Sequence, residues 1–165
     1  MDPQTPIPET PERRAALTRE ITARTGLDTA ALERLLRTFY GAARQDPLLA
    51  PAFAGVADWE AHIANLTRFW SSVALLTGAY HGQPLPAHRP LGLAPQHFAR
   101  WLALFEATAA ECCTPAGAAH LIERARRIAR SLELGLTPLP LPPARPSRAA
   151  AVPAAPSPPQ SGPAQ

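Results

Sequence analysis

Five times between Thr10 and Leu136 a capping residue or a proline precedes apolar side chains that return every three or four positions, and almost nothing in the chain alternates as a strand would. That pattern restricts the chain to an all-α fold. Thr10 with Pro11 opens the first helix: the threonine oxygen accepts from an orphan N–H, the proline fills a position whose N–H needs no partner, and Gly26 ends the run. Asp28 caps a second helix, whose Leu32, Leu35, Leu36, Phe39, Tyr40 and Ala43 form one stripe before Gln45-Asp46-Pro47 breaks it. Asp58 starts a third that runs to Gly78, with Trp59, His62, Leu66, Phe69, Trp70 and Val73 at the steps of three and four that share a face. The stretch from Ala79 to Ala94, broken by prolines and glycines, reads as an ordered loop. A fourth helix follows Pro95 with Phe98, Trp101, Leu102 and Phe105 inward. Thr114-Pro115 then opens a fifth, which carries Leu121, Ile122, Ala125, Ile128, Ala129 and Leu132 to a stop at Gly135.

A chain of 165 residues has room for one domain with a real core. Ten of its 21 prolines lie in 137–165, a stretch with no aromatic residue and no apolar period. The expected organisation is therefore a disordered segment over 1–9, one helical domain over 10–136, and a disordered Pro/Ala-rich tail over 137–165. Arg145 and Arg148 supply +2 of the formal net charge of +3, so the helical body is nearly neutral. Its densest basic run, Glu123 to Arg130, has helical spacing and reads as a solvated face, and no cluster suited to displacing counterions from nucleic acid is present. The N-terminal residues lack a charged-then-apolar signal pattern, and no run approaches the roughly 18 apolar residues that span a bilayer. Cys112 and Cys113 are adjacent, cannot staple distant segments, and suit a reducing compartment. A cytoplasmic protein that binds neither nucleic acid nor membrane is expected.

The inward stripes carry polar rings, Tyr40, His62 and Trp101, with few Ser, Thr or Asn residues beside them to satisfy those rings. A polar guest is one economical way to do so. His88 stands between Pro86 and Pro90, which limit the backbone on both sides and can aim an imidazole. On the residues alone it reads either as a surface histidine or as a metal ligand. The five histidines contain no HExxH and no Cys/His array with zinc spacing, which leaves a protein-only metal cage weakly supported. Haem needs only one axial histidine and an apolar slot, and without a CxxCH motif it would be held non-covalently.

The segments FYGAARQDPLLAPAF, DWEAHIANLTRFWSSVALLTGAYHGQPLPAH and HFARWLALFEAT, in this order and spacing, resemble the truncated haemoglobins, in detail their third group. The resemblance runs from about Leu27 to Leu136. It implies a shortened globin fold of helices packed two over two around haem b, with an additional N-terminal helix and the tail outside the shared pattern. It places the iron ligand on His88, the distal tyrosine on Tyr40, the distal-side tryptophan on Trp101, and a distal or gating histidine on His62. Phe39, Phe53, Leu66, Phe69, Trp70 and Phe105 are core residues that would also approach the porphyrin. The implied ligands are diatomic gases, O2 with NO or CO, and an external electron donor or reductase would support turnover of NO or peroxide. The competing readings are a haem-based gas sensor or storage protein without turnover, and a haem-free helical interaction module that uses the tail as a docking peptide.

Overall fold

A computed structural model of the chain describes residues 10–137. The segments 1–9 and 138–165, expected to be without structure, lie outside the described residues. Six α-helices follow in order: α1 Pro11–Thr25, α2 Thr29–Ala43, α3 Trp59–Leu75, α4 Pro84–His88, α5 Pro95–Cys112 and α6 Pro115–Leu136. Short 3-10 turns at Ala50–Phe53 and Arg89–Leu91 complete the described residues, among which there is no strand. The α2–α3 pair lies over the α5–α6 pair, with α1 laid against α6 and the end of α3.

The expected caps form. Thr10, Asp28, Asp58 and Thr114 accept from the N–H groups of Arg13, Ala31, Ala61 and Gly117 at 3.2, 2.7, 3.0 and 3.0 Å. Gly26 closes α1 in the left-handed region, at φ 71°. The α2 stripe is buried along its whole length and meets Ile63 and Trp70 of α3, Phe105 and Ala109 of α5, and Leu121 and Ala125 of α6 in one core. Each large side chain sealed there contributes on the order of 1.5–3 kcal/mol of burial.

Three expectations about element ends are corrected by the structure. The third helix stops at Leu75, not Gly78, with Leu76 itself in the left-handed region at φ 60°. The reason is tertiary: the last carbonyls of α3 are taken by side chains from other helices. Thr18 donates to Leu75 O at 2.6 Å, His120 Nε2 to Ala74 O at 2.8 Å, and Arg124 Nε to Val73 O at 3.3 Å. Second, the loop Ala79–Ala94 contains α4 and the turn after it. Pro84 and Pro86 fall in the first turn of α4, where a missing N–H breaks no bond, so they start this helix instead of preventing it. Third, Gly135 lies inside α6 and stops nothing. A Cβ there would come within 2.8 Å of Leu85, so the absent side chain lets α4 press against the end of α6.

Candidate functional site

Helix α3 presents two faces. Ile63, Thr67, Trp70, Ser71 and Ala74 are sealed against the core, whereas Trp59, His62, Leu66, Phe69 and Val73 are only half-buried. Apart from Trp70, the stripe that the sequence marks as inward is therefore not the core face. It is a half-covered apolar face, of the kind that can wall a binding slot. The His62 imidazole is pushed below its ordinary value, first by burial and second by His88. Burial thus favours the neutral ring of His62.

His88 is the last residue of α4 and half-buried, with Nδ1 2.6 Å from the carbonyl oxygen of Pro84, four residues back on the same helix. A carbonyl can only accept, so Nδ1 carries the proton and Nε2 keeps a free lone pair. This is how a single imidazole is fixed in tautomer and ring orientation for coordination. Among the described residues no group of three or more His, Cys, Asp or Glu side chains could hold a metal ion. The donor set thus fits a cofactor that asks the protein for one nitrogen ligand, and not a bare ion.

Tyr40 is 7% exposed, and burial pushes its hydroxyl up to about 12, an effect that the neighbouring Trp101 side chain partly offsets. At neutral pH it remains an O–H donor. Its ring meets Phe39 at 4.7 Å, Phe53 at 5.5 Å and His62 at 5.8 Å, all edge-on. Trp101 is half-buried and stacks on Phe105 at 5.2 Å, and Phe105 stacks in turn on Trp70 at 5.0 Å. The broken sequence after α2 positions this wall. The buried Asp46 carboxylate accepts from the Leu48 and Leu49 N–H groups and from Arg100 Nε at 2.6 Å, tying the 3-10 turn that carries Phe53 to α5. The Arg100 bond is the main reason that the Asp46 carboxyl lies below its usual range.

The other expected pocket residues divide. Phe39 and Phe105 are 0% exposed and Trp70 is buried with them, forming the backing of the wall. Phe53, Leu66 and Phe69 are half-buried and line it. His97 caps α5, its Nδ1 accepting from the Ala94 N–H at 2.9 Å, and His81 is exposed. Two further side chains join this wall beyond the expected pocket residues, one of them already on the α3 stripe. Trp59 packs on His62 at 5.3 Å with the Arg44 guanidinium 4.0 Å above its ring, and Tyr80 packs on Phe69 at 5.1 Å. The three-residue step from Trp59 to His62 was the available signal for the first. Nothing in the irregular stretch signalled Tyr80.

No family model matches the chain. It is 37% identical over 86 residues to the protein described as Group 3 truncated hemoglobin ctb of Campylobacter jejuni, which covers 48% of this chain and 68% of that protein. The crystal structure of the group III truncated hemoglobin from Campylobacter jejuni matches the fold with a TM-score of 0.62 at 32% identity, covering 67% of this chain and 92% of that one. With this identity and its helices stacked two over two, the chain belongs to the group III truncated haemoglobins.

Proposed function

We propose that the slot holds haem b non-covalently through Nε2 of His88, and that a diatomic gas binds on the opposite side under Tyr40, Trp101 and His62. The observation that carries this reading is the half-buried His88 imidazole, locked at Nδ1 by Pro84 with Nε2 free to ligate. When bound, haem supplies an iron with one coordination position for the gas. The chain's own residues do the rest. His88 supplies the nitrogen ligand at a fixed ring angle. Leu66, Phe69 and Phe53 cover apolar faces and exclude water. Tyr40 and Trp101 present an O–H and an N–H to a polar guest in a poorly solvated space, where such donors act more strongly than in water.

A hydrogen bond to a charge-bearing ligand is worth on the order of 1.5–3 kcal/mol, or roughly ten- to a hundred-fold in ligand release. Retention of that order suits redox conversion of the bound gas better than its delivery. We therefore assign the protein to NO oxidation or peroxide reduction, with electrons from an external reductase. The free thiols Cys112 and Cys113 suit a reducing cytoplasm. No helix of the described residues is long and apolar enough to cross a membrane.

An absorbance spectrum of the purified protein tests the reading at once. An intense Soret band is expected from the wild type, and its loss or a displaced ferrous spectrum from His88→Ala. A colourless wild-type protein that ignores added haemin refutes the proposal. NO consumption by the oxygenated protein over many turnovers, with a reductase supplied, separates turnover from storage or sensing.

A further inference from the structure

A second polar concavity lies between α1 and α6 and shares no residue with the slot. Arg24 from the last turn of α1 and His120, Glu123 and Arg124 from α6 line a cavity of about 370 Å³, with Thr25 and Ala116 at its edge. That volume is at the small end of the range for ligand pockets. Its charge is unbalanced. Glu123 is the one carboxylate among the lining residues, and it is engaged by Arg127 at 2.5 Å and Arg124 at 3.8 Å. None of the ion pairs among the described residues uses Arg24.

His120 is 8% exposed and gives its Nε2 proton to Ala74 O at 2.8 Å, so Nδ1 holds the lone pair of the neutral ring. No polar side-chain atom of the described residues is both sealed in and without a partner, and Nδ1 has no bond, so it opens on the cavity that the ring lines. Arg124 uses Nε and Nη1 on the carbonyls of Val73 and His120 and keeps Nη2 unengaged. Two arginines and a histidine thus line one small space from two helices. The charged groups acting on His120 are Arg124 and Arg24, which oppose its protonation, and Glu123, which favours it. From α3 it meets the Ala74 carbonyl.

We propose that this cavity is a binding site for a small oxyanion of the phosphate class, held by Arg24, Arg124 and the ring of His120. An oxyanion here offsets the repulsion between the two guanidinium groups and turns His120 Nδ1 from an acceptor into a donor by favouring its protonation. Binding therefore takes up a proton.

The test follows the His120 Cε1–H resonance of the full-length protein, reduced and under carbon monoxide so that any iron is diamagnetic, from pH 8 to pH 5. Inorganic phosphate, glycerol phosphate and chloride are compared at equal ionic strength. The apparent His120 pKa is expected to rise by about one unit with phosphate over chloride. It is expected to return to the chloride value in Arg24→Gln, an exposed substitution that leaves the His120–Ala74 bond intact. A shift with both phosphates assigns the site to phosphate esters as well as the free ion, and a shift with inorganic phosphate alone restricts it to the ion. Identical titration in phosphate and chloride, or an undiminished shift in Arg24→Gln, overturns the proposal.

Discussion

The wall made by α2, α3 and α5 holds Tyr40 and Trp101 by ring packed on ring, with Phe39, Trp70 and Phe105 sealed behind them, whereas α4 holds His88 with five residues, none of them fully buried. The wall is fixed before anything enters the slot. On the other side the orientation of the imidazole is set locally by Pro84, but the position of α4 depends on Leu85 resting in the gap at Gly135. A segment with so little buried surface is drawn from the low-stability end of the molecule, and it gains order from whatever its histidine binds. Under the proposed function the donors are thus preorganised, and α4 is stabilised by ligation.

Four measurements break or sharpen this contrast. The largest effect is expected from Phe105→Ala, which opens a cavity behind the wall and costs about 3–5 kcal/mol, read as a lowered denaturant midpoint. If stability is unchanged, the wall is not the rigid side. Next, Tyr40→Phe and Trp101→Phe each speed ligand release roughly ten- to a hundred-fold by stopped flow while leaving the fold intact. Unchanged rates in both remove the donors from the proposed role. Gly135→Ala comes third: a helix-propensity gain of about 1 kcal/mol is offset by crowding Leu85 at a cost of about 1–3 kcal/mol. Global stability then moves little, while haem is lost severalfold faster, as followed by transfer to an apoglobin acceptor. The smallest effect concerns pH. Burial depresses the protonation of His120 in the fold below its ordinary value of 6.5, so the unfolded chain binds the proton more readily. The contribution of His120 to stability is therefore full well above pH 6.5 and declines as the pH falls through that value toward the folded-state one. His120→Gln is expected to flatten that decline in melting temperature between pH 7 and 5, placing it at the α3–α6 joint and not at α4.

Much of the architecture was legible because it is local. Caps at Thr10, Asp28, Asp58 and Thr114 and the stripe of α2 depend on residues three or four apart, and they appear where the sequence marks them. What could not be read depends on partners distant in the chain. The end of α3 is set by Thr18, His120 and Arg124, and the role of Gly135 by Leu85, fifty residues earlier. The aromatic residues show the same limit. Helical period puts Phe69 and Trp70 on one broad face, but only the packing of α5 decides that Trp70 is sealed while Phe69 stays half-covered. His88 was legible as a chemical group between two prolines, and its tautomer was not, because the Pro84 carbonyl comes within reach only once α4 has formed.

Helix α1 is spliced into both halves of the molecule. Thr18 holds the Leu75 carbonyl, the Arg14 guanidinium lies over Gly78, and the Thr25 carbonyl accepts from Thr114 at the start of α6. It therefore acts as a splint across the hinge from α3 toward α4. Shortened versions that begin at Leu27 surrender that brace and leave the segment toward α4 to find its own angle, whereas a carrier fused ahead of Thr10 leaves the splint untouched.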